Sequence, residues 1–169
     1  MLEDRFGVLY RADDDSLRPG RDGTMRWADL AGRKLVGVVD ETGIMALLRA
    51  RADLPIEAGA PFYEASSTTS QAALVKAGLG VALLPALAAE RVREPGLAYA
   101  LLARPTVVRT VCIIRHKEYP LSPASQALIR AIHDYLRTAK LPVGCKRVRA
   151  SPGRPKPEPG LGQQHESTA

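Results

Sequence analysis

The sequence predicts an α/β fold, in which buried strands are covered by helices. The hydrophobic fraction is 46% while aromatics make up only 5%, so Ala, Val and Leu supply most of the apolar surface, a composition that suits buried strands under helices. Short apolar runs also alternate with segments of helical spacing. With 169 residues, the chain has room for one domain or two small lobes.

The N-terminal part contains two predicted strands separated by a loop and a short helix. Residues 6–10 (FGVLY) read as a buried strand, and a loop rich in Asp, Pro and Gly follows. We expect Thr24 to cap a brief helix over residues 27–30. That helix ends at Gly32, because glycine tolerates the left-handed conformation common at helix ends. Residues 35–39 are the next strand.

The middle of the chain continues this alternation. Residues 44–51 have apolar side chains at helical spacing and stop before Pro55. Residues 62–65 are a further strand, and a helix with apolar residues through Leu79 follows a run of hydroxyl side chains. Residues 81–84 then supply another buried strand.

The C-terminal part begins with a short helix opened by Pro85, since proline is favoured at the first position of a helix. Residues 97–102 and 107–114 are extended apolar runs. We interpret them as one long strand that is bent or interrupted at Pro105.

The clearest helix has Ser122 as its N-cap and a proline at its first position. Beyond Ala139 the chain has few large apolar side chains, which cannot offset the entropy lost on ordering, so residues 140–169 are expected to be disordered. The helix carries one apolar stripe that must pack on something: Leu128, Ile129, Ile132, Tyr135 and Leu136.

Two strand-to-helix junctions are the candidate binding site. In open α/β sheets, ligands collect at the carboxyl ends of strands, where free backbone N–H groups favour an anion. The alternative is that these polar side chains only cap their helices, although the second run has more hydroxyls than capping needs. The candidate ligand-binding residues are Asp40, Glu41, Thr42 and Gly43 at the first junction and Ser66, Ser67, Thr68 and Thr69 at the second.

Catalytic and cofactor motifs are weak throughout. His116, His133 and His165 do not have metal-ligand spacing, and no serine lies in a nucleophile elbow. Gly78 and Gly80 follow a helix and precede a strand, the reverse of the order that a dinucleotide site needs. We therefore expect no enzyme activity, no metal and no cofactor.

Charge and cysteine content favour a cytoplasmic protein. The segment from Ala139 has six cationic and two acidic side chains, a net +4, so only +2 of the formal +6 remains for the folded part. The basic stretch at 146–149 lacks a recognition helix and is interpreted as solvated. Two cysteines are too few for a disulfide framework, and neither a signal peptide nor an apolar run of about 20 residues is present.

Three motifs resemble one family, the effector-binding domain of LysR-type transcription regulators. They are WADLAG at 27–32, VKAGLGVALLP at 75–85 and LSPA at 121–124. The resemblance covers about residues 5–138. It implies a periplasmic-binding-protein-like (type 2) fold, with hinge strands, one lobe and part of a second. It also implies that a small effector binds between the lobes, with the two junctions as the lobe-two wall; the residues at the junctions themselves favour a carboxylate or another anion.

The same resemblance implies a division of the chain. Residues 1–24 would be a hinge strand and loop left from lobe one, and residues 25–104 the effector-binding lobe two. Residues 105–139 would be the return hinge strand and last helix of lobe one, followed by the tail at 140–169. A helix-turn-helix and most of lobe one are expected upstream of Met1 and are missing from this sequence.

The leading hypothesis is the sensory part of a regulator that is a homodimer or tetramer at full length and contacts DNA only through the missing helix-turn-helix. The alternative is a stand-alone solute-binding protein without DNA binding. Because lobe one is incomplete, the apolar stripe of the last helix would be exposed, and we expect the chain to dimerise or aggregate.

Overall fold

Strands and helices alternate along most of the chain, as the composition predicts. The computed structural model describes residues 1–38, 43–55, 60–116 and 118–148. The strands are β1 Leu2–Arg11, β2 Thr24–Arg26, β3 Leu35–Val38, β4 Tyr63–Ala65, β5 Val81–Pro85, β6 Leu97–Ala103, β7 Val108–Val111 and β8 Cys145–Arg147. The helices are α1 Gly43–Arg49, α2 Thr68–Lys76, α3 Ala86–Arg91 and α4 Pro123–Thr138, with a 3-10 turn at Trp27–Leu30.

The main sheet is mixed, with the strand order β2-β6-β1-β5-β3-β4. β1 runs antiparallel to β5 and β6 on its two sides. The outer pairs, β2 with β6 and β3 with both β4 and β5, are parallel. Parallel pairs need crossover connections, and α1 and α2 fill two of these connections.

β1 changes partners along its length and so belongs to two sheets. Its C-terminal half pairs with β5 and β6, beginning at the pair Phe6–Pro85. Its N-terminal half pairs with β7 on one side and β8 on the other, ending at Arg5–Val108 on the β7 side. The switch between Arg5 and Phe6 is where the predicted hinge strand leaves one sheet for the other.

The buried side chains form two clusters, one on each face of the main sheet. Alternation along β1 sends Phe6, Val8 and Tyr10 into the first cluster and Leu9 into the second. The first cluster includes apolar residues of α1 and of the 3-10 turn, whereas the second includes those of α2 and α3. Helices therefore cover both faces, as the α/β prediction requires.

The structure contains each predicted strand and helix, ends α2 at Lys76 rather than Leu79, adds β2 and β8, and corrects the helix cap at Thr24. That residue begins β2, and its backbone N–H donates to the Asp22 carboxylate at 3.0 Å. The following 3-10 turn starts after Arg26, whose own backbone N–H donates to Asp29. The predicted helix end at Gly32 agrees with the backbone, because that glycine has a φ of 73°.

The predicted interruption of the long C-terminal strand is present. β6 ends at Ala103 and β7 starts at Val108, with Pro105 between them. The break is tied to the core, since the Trp27 indole Nε1 donates to the Pro105 carbonyl oxygen at 2.8 Å. As a result, β6 and β7 pair with different halves of β1.

Helix α4 begins as predicted but packs on little of the sheet. Ser122 caps it by accepting the backbone N–H of Ser125 at 3.1 Å. None of its residues is buried, and Leu128 and Tyr135 are 62% and 70% exposed. The predicted exposure therefore holds for only part of the stripe, because its remaining residues are half-buried: Ile129, Ile132 and Leu136.

The expectation of disorder from Lys140 onward is wrong for residues 140–148. β8 pairs with the free side of β1, and the Arg5 N–H donates to the Gly144 carbonyl oxygen at 3.0 Å. Gly144 has a φ of 98° and lies against Leu101 and Ala86, where a side chain would collide. Backbone pairing supplies the ordering that the composition of this segment does not. Residues 149–169 lie outside the described residues.

Candidate functional site

The candidate site lies where β3 and β4 end. These strands are parallel neighbours, and their last residues, Val38 and Ala65, are paired in register. Both strands therefore stop at the same level on one edge of the sheet. Each continues into a junction that leads to a helix, α1 after β3 and α2 after β4. This edge is where open α/β sheets collect their ligands.

The first junction is described only at its end. Asp40, Glu41 and Thr42, which the sequence selects as ligand-binding residues, lie outside the described residues. Gly43 begins α1 and is exposed, with open space where a Cβ would be. Their proposed contact with a ligand stays a prediction.

The second junction combines capping with unengaged hydroxyls. Ser67 is the N-cap of α2, and its Oγ accepts the Ser70 N–H at 3.1 Å and contacts the Ser70 Oγ at 2.9 Å. Within the described part of the chain, the Ser66 and Thr68 hydroxyls have no hydrogen bond. The run thus contains one capping residue and two hydroxyls that are not used in capping. Helix capping and ligand binding, the two interpretations of this run, therefore both have support.

Thr69 faces the groove between α2 and α3 and not the end of β3. It lines an open groove together with Ala73 and Lys76, which share its face of α2. The opposite side of this groove is formed by residues 91–94. Lys76 crosses it to form an ion pair with Glu94 at 3.1 Å. Of the hydroxyls after β4, Thr69 is therefore the one turned toward the α2–α3 side.

Gln71 is a buried polar residue near both junctions that sequence reasoning missed. It lies one turn after the cap of α2 and is 1% exposed. Its Nε2 donates to the Val36 carbonyl oxygen at 3.0 Å, which joins α2 to β3. Its Oε1 is buried and accepts no hydrogen bond within the described residues. A buried acceptor without a partner costs about 1–3 kcal/mol.

A small cavity adjoins Gln71. Its lining includes Gly37 and Val38 at the end of β3 and Ile44 in the first turn of α1. The internal volume is about 10 Å³, which is about the space of one water-sized group. Apart from Gln71 the lining side chains are apolar: Leu35, Val36, Val38, Ile44, Met45, Leu48, Leu83 and Leu84.

Asp4 connects four elements at the hinge. Its side chain is fully buried, and Oδ2 accepts from the Arg109 Nε on β7 at 2.9 Å. Oδ1 accepts from the backbone N–H of Leu87 in α3 at 3.1 Å and from the Cys145 thiol at 3.4 Å. The carboxylate thus ties both hinge strands to a helix of the main sheet and to β8.

The electrostatics of this hinge cluster keep Cys145 protonated. Burial first, and the Asp4 carboxylate second, raise the pKa of the Cys145 thiol to about 12. The thiolate is the reactive form of cysteine, so this side chain serves as a hydrogen-bond donor to Asp4. On the same side of the sheet, burial also raises the pKa of Tyr99, whose hydroxyl donates to the Leu84 carbonyl oxygen at 3.0 Å.

Some classes of site are absent from the described ranges. None of their helices is long and apolar enough to cross a membrane. In the same ranges, no three His, Cys, Asp or Glu side chains come together as metal ligands would.

The fold and the paired junctions define a class, the α/β ligand-binding domains of the periplasmic-binding-protein type 2 fold. Residues 2–137 match the family described as "LysR substrate binding domain". The chain belongs to this family, whose members are effector-binding domains of transcription regulators and not enzymes. The resemblance that the sequence motifs indicate is confirmed.

Relatives and solved structures agree with this assignment. Over 103 residues, 60% of this chain and 32% of the relative, the sequence is 35% identical to "Uncharacterized HTH-type transcriptional regulator YbhD" of Escherichia coli strain K12. The chain therefore spans about a third of that protein. The structure titled "Crystal structure of the reduced form of OxyR" has a TM-score of 0.60 at 25% identity, covering 80% of this chain and 62% of that one.

A further solved structure supports the fold alone. The effector-binding domain of a BenM variant has a TM-score of 0.56 at 18% identity, covering 86% of this chain and 67% of that one.

Proposed function

We propose that this chain senses a small anionic metabolite for a LysR-type transcription regulator. The observation that carries the proposal is the register of β3 and β4, whose ends at Val38 and Ala65 are paired side by side, each strand being followed by a helix. The effector would lie against these junctions, in the cleft between the main sheet and the lobe that begins with β7 and β8.

The chemistry of the second junction supports an anion. The first backbone N–H groups of α2 have no partners within the helix, and they carry the positive end of its dipole. Ser67 satisfies one of them through Ser70. The hydroxyls of Ser66 and Thr68 add donors that capping does not use. A carboxylate has enough acceptor sites to take several such donors.

The switch of partners along β1 supports a response to binding. The same strand belongs to the main sheet and to the smaller sheet with β7 and β8. A ligand that contacts both sides favours the closed arrangement by its differential affinity for it. In the whole regulator, closure would alter subunit packing in a homodimer or tetramer and thereby DNA contacts made by a helix-turn-helix.

The division of the chain stays part of the proposal. Residues 25–104 would form the effector lobe, with 1–24 and 105–139 belonging to the other lobe and its hinge. β2 starts at Thr24, and it pairs with β6 of the main sheet. From Phe6 onward β1 also pairs with β5 and β6 at the centre of the same sheet. A boundary between Arg5 and Phe6 would therefore keep all of these pairs within one lobe. We expect binding without turnover of the ligand.

The test is calorimetric titration of the 169-residue chain with a panel of small carboxylates at low salt. The double variant Ser66→Ala/Thr68→Val is expected to weaken binding about tenfold or more, because hydrogen bonds to charged groups contribute about 1.5–3 kcal/mol each. Thr138→Val, at the exposed C-terminal end of α4, is the matched control and should bind as the unaltered chain does. Equal affinity in the double variant and the control would contradict the proposed site.

A further inference from the structure

We propose that residues 140–148 form a strap that braces the hinge: the strap holds the main sheet and the smaller sheet of β1 and β7 at a fixed angle, and it detaches as one unit before the main sheet opens. This inference goes beyond the proposed function, because it concerns the chain without a ligand. Its starting point is that the strap contacts elements on both sides of the partner switch along β1.

One end of the strap is wedged against the main sheet. Gly144 lies so close to β6 and α3 that an added Cβ would be 2.6 Å from the Leu101 Cδ2 and 3.1 Å from the Ala86 Cβ. The Gly144 carbonyl oxygen accepts the Arg5 N–H at 3.0 Å, and Arg5 is the last residue of β1 before the partner switch. The strap therefore makes its first contacts at the hinge itself.

The other end of the strap is fastened to the smaller sheet and to α4. Residues 145–147 are β8, which pairs with Leu2–Asp4 of β1. The Arg147 guanidinium donates to two carbonyl oxygens at the C-terminal end of α4, those of Leu136 and Ala139. Carbonyl groups in the last turn of a helix have no partner within the helix, so Arg147 supplies one. A single segment thus contacts the main sheet, the smaller sheet and α4.

The strap adds a third connection across the hinge. Within the described residues, the backbone otherwise passes between the two sheets along β1 and along the link from β6 to β7. Two such crossings allow one lobe to rotate about the other, because hinge movements need only a few residues to change φ and ψ. The strap lies beside β1 on the side away from β7. From that side it opposes the rotation.

The strap is held more weakly than the strand with which it pairs. None of its residues is buried, whereas Phe6, Val8 and Leu9 of β1 are almost completely buried. Its ion pair between Lys146 and Glu3 is largely exposed, and exposed pairs contribute only about 0–1 kcal/mol. Segments with little apolar burial open at a lower free energy than the core. The strap therefore opens first, and the hinge is free to move only while it is open.

Hydrogen exchange of two neighbouring amides tests the detachment in the unaltered chain. The Arg5 N–H is bonded to the strap at Gly144, whereas the Phe6 N–H donates on the opposite side of β1, to the Val107 carbonyl oxygen at 2.9 Å. After correction for intrinsic rates, Arg5 should exchange about tenfold or more faster than Phe6. Equal protection of the two amides would overturn the proposal, because the strap would then open only together with the main sheet.

A matched pair of variants tests the brace. Gly144 and Gly96 have φ values of 98° and 88°, so valine strains the backbone at either position. Only at Gly144 does the new side chain also collide with neighbours. Gly96, between α3 and β6, has nothing within 4 Å of an added Cβ. Gly144→Val should therefore release the strap, and Gly96→Val is the control.

The readout is the set of residual dipolar couplings of the backbone amides in a weakly aligned sample. In the unaltered chain and in Gly96→Val, one alignment tensor should fit the amides of the main sheet and of α4 together. In Gly144→Val, α4 should show a smaller alignment than the main sheet, because a lobe that moves about the hinge averages its couplings. The Arg5 N–H should exchange faster in this variant only, while Phe6 keeps its rate.

The outcomes are separate from those of the ligand titrations. If one tensor fits Gly144→Val as well as it fits the unaltered chain, the strap does not brace the hinge and the inference is refuted, whether or not an anion binds. If Gly144→Val does not fold, the comparison of Arg5 with Phe6 in the unaltered chain still decides whether the strap detaches. Failure of every carboxylate to bind would refute the proposed function and leave the strap untouched.

Discussion

Removing the Asp4 carboxylate should destabilise the protein more than any exposed charge on the same strand. The side chain is fully buried and joins Arg109, the Leu87 N–H and the Cys145 thiol. Deleting one partner of a buried ion pair costs about 3–5 kcal/mol, because the other partner is left without a counter-charge. Since the Arg109 side chain is 32% exposed, water compensates part of this loss, and we expect about 3 kcal/mol for Asp4→Ala.

The assay is urea unfolding followed by circular dichroism, with thermal melting beside it. For a chain of this size, a loss of about 3 kcal/mol corresponds to a Tm lowered by about 6–12 °C. Asp4→Asn should fall between the unaltered chain and Asp4→Ala, because its amide oxygen still accepts from Leu87. Glu3→Gln breaks only the exposed ion pair with Lys146 and should cost less than about 1 kcal/mol. Equal destabilisation by Asp4→Ala and Glu3→Gln would refute the role given to the buried carboxylate.

Further predictions follow from packing, thiol chemistry and the exposed helix. Gly7→Ala should lower the free energy of unfolding by about 2 kcal/mol, because a Cβ there would collide with the Ala100 carbonyl oxygen. A variant as stable as the unaltered chain would contradict the close approach of β1 and β6. With a thiol reagent at pH 8, exposed Cys112 should react quickly and Cys145 slowly, and two equally fast thiols would be the contrary result. As pH rises above about 9, the Cys145 thiol ionises in the unfolded chain before the folded one, because its folded pKa is raised to about 12. Stability should therefore fall as the pH rises from about 9 toward about 12, and Cys145→Ala should flatten this part of the Tm profile. Leu128→Glu on α4 should shift the chain toward monomer in analytical ultracentrifugation, whereas an unchanged distribution would show that this apolar stripe does not drive association.

Most of the fold is predictable from the sequence because the spacing of apolar residues and the positions of glycines, prolines and capping residues agree along the main sheet. The apolar run around Phe6 predicts the buried strand β1. The serine–proline pair at residues 122–123 predicts the start of α4, because serine caps helices and proline is favoured at their first position. Where two residues compete locally, the prediction fails. Thr24 is a good N-cap by type, yet both its hydroxyl and its backbone N–H donate to the Asp22 carboxylate, and the chain continues into β2.

The ordered part of the tail could not be predicted for a different reason. Residues 145–147 have no apolar pattern, and their order comes from pairing with β1, which is distant in sequence. Gly144 fits against Leu101 only in the folded chain. Contacts of this kind leave no periodic trace in the segment itself.

The position of the two strand ends at the candidate site is predictable from the sequence, but the buried Gln71 near them is not. Hydroxyl residues after β4 indicate a junction, and the register of Val38 with Ala65 supplies its neighbour. Gln71 is harder to find, because its four-residue spacing from Val75 puts it on the buried stripe of α2, where an apolar side chain is expected. A glutamine at such a position is the clue that was available in the sequence.

The central claim is that a small anion binds where β3 and β4 end. The most direct test is an amide NMR titration of the isotopically labelled chain with the small carboxylate that binds most tightly in the calorimetric panel. We expect the largest shifts at Gly43 and at the backbone amides of residues 66–71, with little change along α4. Shifts confined to the groove around Lys76, or spread evenly over the surface, would contradict a binding site at these junctions.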